Sequence, residues 1–155
     1  MKKKFFILFM VFGMFFVACK KEKTSLQDFM VNSWETTYLK LEMPTYQNSD
    51  STQVYEDSFD NNPERVARST YHKDGTFVAW FVTNKGETIS DSEGNWKAKG
   101  DSLFVDFFYN GKQVKTKYFI TKTKEGFKGI NVYDWDDDGK EDDTLIMKTK
   151  SIIID

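Results

Sequence analysis

The densest chemistry in this sequence is the run Asp134-Trp135-Asp136-Asp137-Asp138-Gly139-Lys140-Glu141-Asp142-Asp143, in which seven of ten residues are acids. A hard divalent cation takes oxygen ligands from alternate positions of a tight loop: the first, third and fifth, a backbone carbonyl at the seventh and an oxygen at the ninth. Here those places fall to Asp134, Asp136, Asp138, the Lys140 carbonyl and Asp142. Gly139, at the sixth, permits the sharp turn such a loop needs. Crowded carboxylates repel one another, and a calcium ion would relieve the repulsion and pin the loop. Water and salt also screen exposed charges. A structural calcium site and a solvated acidic hairpin tip are therefore the two readings of this run.

Other reactive groups are sparse. His72 is the only histidine, with Asp74 two residues on as the group that would orient it as a general base. It falls at the end of a predicted strand beside a turn, where a surface histidine is the simpler reading. No serine lies in a nucleophile-elbow sequence, and no glycine-rich phosphate loop is present. One histidine and one cysteine cannot build a zinc cluster. The expectation is a non-catalytic protein with no organic cofactor. The twelfth place of the acidic run is Leu145. An EF-hand carries a bidentate Glu there, so the run resembles instead the calcium loops between strands of integrin-type β-repeats.

The one cysteine has another role. Lys2, Lys3 and Lys4 precede an apolar stretch over residues 5–18, and Cys19 follows directly. Fourteen residues are too few to span a bilayer, which takes roughly 20, and they suit the core of an export signal. Phe16-Val17-Ala18-Cys19 resembles the lipobox of bacterial lipoproteins. That resemblance implies cleavage before Cys19, acylation of Cys19, and anchorage to the cell envelope at the outer membrane or cell surface. Residues 1–18 are then the signal peptide and 19–25 the lipidated cysteine and its tether. The charged tether resembles those of surface-exported lipoproteins of the Bacteroidetes. Without Lys2, Lys3 and Lys4, 19 basic residues face 24 acids, a net charge of about −5. Such an acidic domain is no partner for nucleic acid.

The elements that must position these groups are strands. Leu26, Phe29 and Met30 repeat at helical spacing behind Ser25, a plausible N-cap. Beyond Trp34 the period becomes two. Leu103, Val105, Phe107 and Tyr109 alternate along one segment, and Val114, Thr116, Tyr118 and Ile120 along the next, with Asn110-Gly111 between them as a hairpin signal. Asp74-Gly75, Gly100-Asp101 and Gly126 divide further segments at 66–72, 76–82, 95–99 and 127–133, and a last one covers 144–150. This spacing predicts an all-β antiparallel up-and-down meander that escapes exposed edges by closing into a barrel of roughly eight strands. The polar segment 43–63 holds both prolines and reads as a loop or as one more strand near 53–59.

Several motifs carry a family resemblance. Asn32-Ser33-Trp34 after the short helix resembles the Gly-x-Trp opening of lipocalin-like barrels. Tyr71-His72-Lys73-Asp74-Gly75-Thr76-Phe77 and Gly94-Asn95-Trp96-Lys97, the latter followed by Gly100-Asp101-Ser102-Leu103, resemble two of their hairpins. In this order they are similar to lipocalin-like lipoproteins of the Bacteroidetes over residues 26–150, with 151–155 as a tail. The resemblance implies an eight-stranded barrel, and a small apolar ligand in it is the first functional expectation. A protein-interaction module, such as an inhibitor or accessory subunit at the envelope, is the alternative. Phe104 and Phe108 on one face of their segment, against Leu103, Val105 and Phe107 on the other, predict an outer apolar patch covered by the helix or by a partner.

Overall fold

The computed structural model describes residues 24–59, 65–109 and 111–154. The apolar leader and the Cys19 assignment lie outside them. Ser25 caps α1 (Leu26–Met30), its hydroxyl accepting the Asp28 N–H at 3.0 Å. So short a helix is unstable alone, and tertiary bonds hold it. The Gln27 side chain accepts the Ala98 N–H at 2.7 Å, and the Met30 carbonyl accepts the Trp34 indole at 3.2 Å.

Nine strands follow: β1 (Ser33–Met43), β2 (Gln53–Asp57), β3 (Arg65–Tyr71), β4 (Thr76–Thr83), β5 (Thr88–Lys99), β6 (Ser102–Tyr109), β7 (Lys112–Lys122), β8 (Gly126–Tyr133) and β9 (Asp143–Ile152). They pair antiparallel in the order β2-β1-β3-β4-β5-β6-β7-β8-β9, and β1 also pairs with β9. Eight strands, β1 and β3 to β9, therefore form a closed antiparallel barrel. β2 stands outside that ring. It takes the edge of β1 at Leu39–Met43, while β3 takes the same edge at Ser33–Glu35. The two thus share one strand position, interrupted by residues 58–64.

The β1–β9 register shifts between Thr36 and Tyr38. One extra residue there moves the inward set from Trp34 and Thr36 to Leu39, Leu41 and Met43. Asn32, where the family motif has Gly, needs no special conformation: it is not among the positive-φ residues, and its carbonyl accepts the Tyr71 N–H at 3.0 Å. β5 begins seven residues before the expected 95, and β9 extends two past the expected boundary at 150. The helix does not cover the outer wall. Leu26 and Met30 join the interior cluster with Trp34, Trp96, Leu103 and Phe127, so α1 stoppers one barrel end.

Candidate functional site

The two barrel ends differ. Toward α1 the interior is filled: Trp34, Trp96, Leu103, Ile120 and Phe127 are all buried. Trp34 meets Phe127 edge-on at 5.1 Å, and the Trp96 indole donates to the His72 carbonyl at 3.0 Å. Burial pushes the Tyr71 phenol up to about 12, with a Ser69 hydrogen bond opposing it.

At the other end Met43 and Val114 are buried, and several further inward positions are only partly covered. Leu39 and Leu41 on β1, Ala79 and Phe81 on β4, Phe107 on β6 and Met147 on β9 are half-buried. Tyr109, next inward beyond Phe107, is 42% exposed. Small residues line much of this wall: Ala67 lies opposite Phe81, Gly94 opposite Phe107, and Ala79 and Ser92 opposite each other. The Arg65 guanidinium lies over the Phe81 ring at 5.1 Å, at the rim. From the opposite rim Trp135 folds inward, its indole donating to Asn131 Oδ1 at 2.9 Å. Asn131 is fully buried and donates in turn to Thr116 Oγ1 at 2.6 Å and the Lys117 carbonyl at 2.9 Å.

Trp135 belongs to the acidic run, which joins β8 to β9 at this mouth. Asp134, Asp136 and Asp138 each bring a carboxylate oxygen within 4.8 Å of the others. Asp134 also accepts the Asp138 and Gly139 N–H groups at 3.1 and 3.0 Å. Of the other two expected ligands, Lys140 places its ammonium 3.1 Å from Asp138 Oδ2, while Asp142 is exposed and outside the trio. Burial raises the Asp138 carboxyl, but hydrogen bonds from the Lys140 backbone and ammonium outweigh it and hold the group below the ordinary carboxylate value. Asp143 is fully buried; one oxygen accepts the Trp135 and Asp136 N–H groups, the other has no partner, and burial pushes its carboxyl up.

The β1–β2 turn docks on this loop. Gln47 N–H donates to Asp136 at 2.7 Å and Thr45 Oγ1 to Asp138 at 3.3 Å. Thr45, Gln47 and Asn48 have φ of 53°, 50° and 61°. A β-branched residue in that region is strained, and the loop carboxylates hold the turn there. Sequence reasoning missed this partnership because nothing local in residues 44–52 announces a contact about 90 positions away.

His72 is exposed. The hydroxyl and N–H of Thr76 donate to the Asp74 carboxylate at 2.7 and 2.9 Å and lower its pKa. Asp74 is thus engaged in closing its own turn. The outer wall carries a groove of about 590 Å³ whose lining includes Lys97, Phe104, Asp106, Lys115, Lys117 and Val132. Comparison with protein-family models, curated proteins and solved structures found no match to this chain.

Proposed function

We propose that this chain is a lipid-anchored, non-catalytic lipoprotein of the cell envelope that binds a small apolar ligand in the mouth of its barrel. The observation that supports it is the half-buried inward wall of Ala79, Phe81 and Phe107 opposite the end stoppered by α1. Apolar side chains facing inward and still reached by solvent gain free energy when a ligand displaces that water, at roughly 25 cal/mol per Å². Small side chains at 67, 79 and 92 line the same wall. The lipobox-like Cys19 and the lipocalin-like motifs support the same reading.

A structural calcium ion belongs to the proposal. The Asp134–Asp136–Asp138 trio supports it, and the ion would brace Trp135 and the β1–β2 turn at the mouth. Native mass spectrometry of the protein released gently from its own membrane tests the whole reading. A bound small molecule is expected, and it should be absent from Ala79→Trp, which fills the mouth. A bare polypeptide would refute the ligand and move the assignment to an interaction module.

A further inference from the structure

We propose that the barrel wall built from the α1-proximal halves of β5 to β9 docks flat on an anionic lipid surface. Outward positions there form rows across paired strands. Lys97, Phe104 and Lys117 make one row, and Phe119, Ile130 and Ile146 the next. Lys128 and Lys148 pair in the row beyond. Phe119 is 52% exposed, although a barrel wall needs no aromatic on its outside. Lys97 and Lys117 lie over the Phe104 and Phe119 rings at 5.7 and 5.1 Å. Lysines stretched along apolar surface with their ammonium groups free are suited to a boundary that is oily below and negative at the headgroups. Among the described residues, Lys97, Lys117, Lys128 and Lys148 make no ion pair.

Two further observations select a lipid surface as the occupant. Charge is segregated along the barrel axis. Asp101 and Glu125 lie in turns at the α1 end, but the seven acids of the acidic run lie at the mouth, so a negative surface repels the mouth more than this lysine-bearing wall. The chain also enters the barrel beside this wall, where Lys122 Nζ donates to the Thr24 carbonyl at 2.6 Å. Cys19 is five residues earlier. Even fully extended, five residues reach only about 17 Å. A bilayer holding Cys19 is therefore within about two Debye lengths of the end of β7 at physiological salt. This proximity rests on the lipid-anchor reading; the patch does not.

The test uses the full chain as isolated from its own membrane, reconstituted into phosphatidylcholine vesicles with and without phosphatidylglycerol. Amine acetylation, read peptide by peptide, reports which lysines are covered. Lys97, Lys117, Lys128 and Lys148 should be protected only on the anionic vesicles, with Lys85 at the far end labelled equally on both. Protection should vanish near 1 M salt, where the Debye length is about 3 Å. Each replacement such as Lys117→Gln should weaken docking by about fivefold, and Phe119→Ser should weaken it without changing the salt dependence. Equal labelling on both vesicle types overturns the proposal, as does the same protection with no vesicle present, which would mean contact between protein copies. The mass of the N-terminal peptide separates the two readings. Lipid on Cys19 with an uncovered wall refutes docking alone, and a covered wall with unmodified Cys19 refutes the anchor alone.

Discussion

Glu35 is the rivet of the barrel seam, and replacing it should loosen that seam in a pH-dependent way. β1 meets β3 through only three residue pairs, Ser33–Thr70, Trp34–Ser69 and Glu35–Arg68. At the last of these the carboxylate accepts from Arg68 Nε at 2.9 Å and pairs with Lys150 Nζ at 2.8 Å. One side chain thereby ties β1 to the strands on both of its edges. The Glu35 side chain is 15% exposed, its partners 37% and 46%. Exposed pairs are worth roughly 0.2–1 kcal/mol each, so losing both through Glu35→Gln should cost about 0.4–2 kcal/mol at neutral pH. Burial raises this carboxyl, but Lys150 and Arg68 outweigh it and hold the group below its ordinary 4.5. A carboxyl lowered on folding adds stability above its unfolded value and loses it as pH falls through the lowered one. The gap between wild type and Glu35→Gln in urea unfolding should therefore be present at pH 7 and close in acid. Amide exchange at Ser33 and Arg68 should quicken in the variant more than exchange in the β6–β7 hairpin. A loss that persists unchanged in acid, or none at neutral pH, would show that the backbone ladder alone holds the seam.

Other perturbations follow from the same geometry. A Cβ at Gly94 would lie 2.4 Å from the Asp106 carbonyl oxygen and 2.7 Å from Phe107 Cβ; Gly94→Ala should cost about 1–3 kcal/mol in urea unfolding. The neutral form of Asp143 is favoured by burial, so the stability it carries is present below its ordinary 3.8 and lost as pH rises through the raised value. Asp143→Asn should then be at least as stable as wild type at pH 7, with its advantage shrinking in acid. Asp143→Ala should lose about 1–3 kcal/mol by leaving the Trp135 and Asp136 N–H groups unsatisfied. Asp134→Ala should lower the melting temperature more in calcium than in chelator, where only its bonds from the Asp138 and Gly139 N–H groups are lost; an equal loss in both would refute the ion.

Much of the barrel was legible because its hairpins announce themselves. Gly75, Gly100 and Gly111 take φ of 89°, 60° and 80° at the turns where the sequence placed them. Alternation along residues 103–109 and 114–120 reads directly as one wall of the interior. The first half of β5 was not legible, because small and polar residues face inward there, Ser92 and Gly94 among them, and no apolar alternation marks the strand. β2 was only half legible: its five residues, including Val54 and Tyr55, are almost all exposed, so pairing with β1 defines it rather than burial. At the candidate site, the spacing of Asp134, Asp136 and Asp138 foretold their convergence. The inward fold of Trp135 onto Asn131 did not follow from spacing, since it depends on a buried amide from the preceding strand. The lysine wall went unread for a similar reason: its rows exist only across strands, and along the chain its members are scattered.

The pairing of β1 with β9 has a consequence for how the molecule is made. Trp34 lies opposite Ser151, so the first strand to be synthesised waits for the last before its outer edge is satisfied. Local hairpins from β3 to β8 can form early, but ring closure is as non-local as this chain allows and sets a slow final step. A growing chain would thus stay unlocked until β9 had been made. Truncation within β9 would leave the edge of β1 open as a template for another chain.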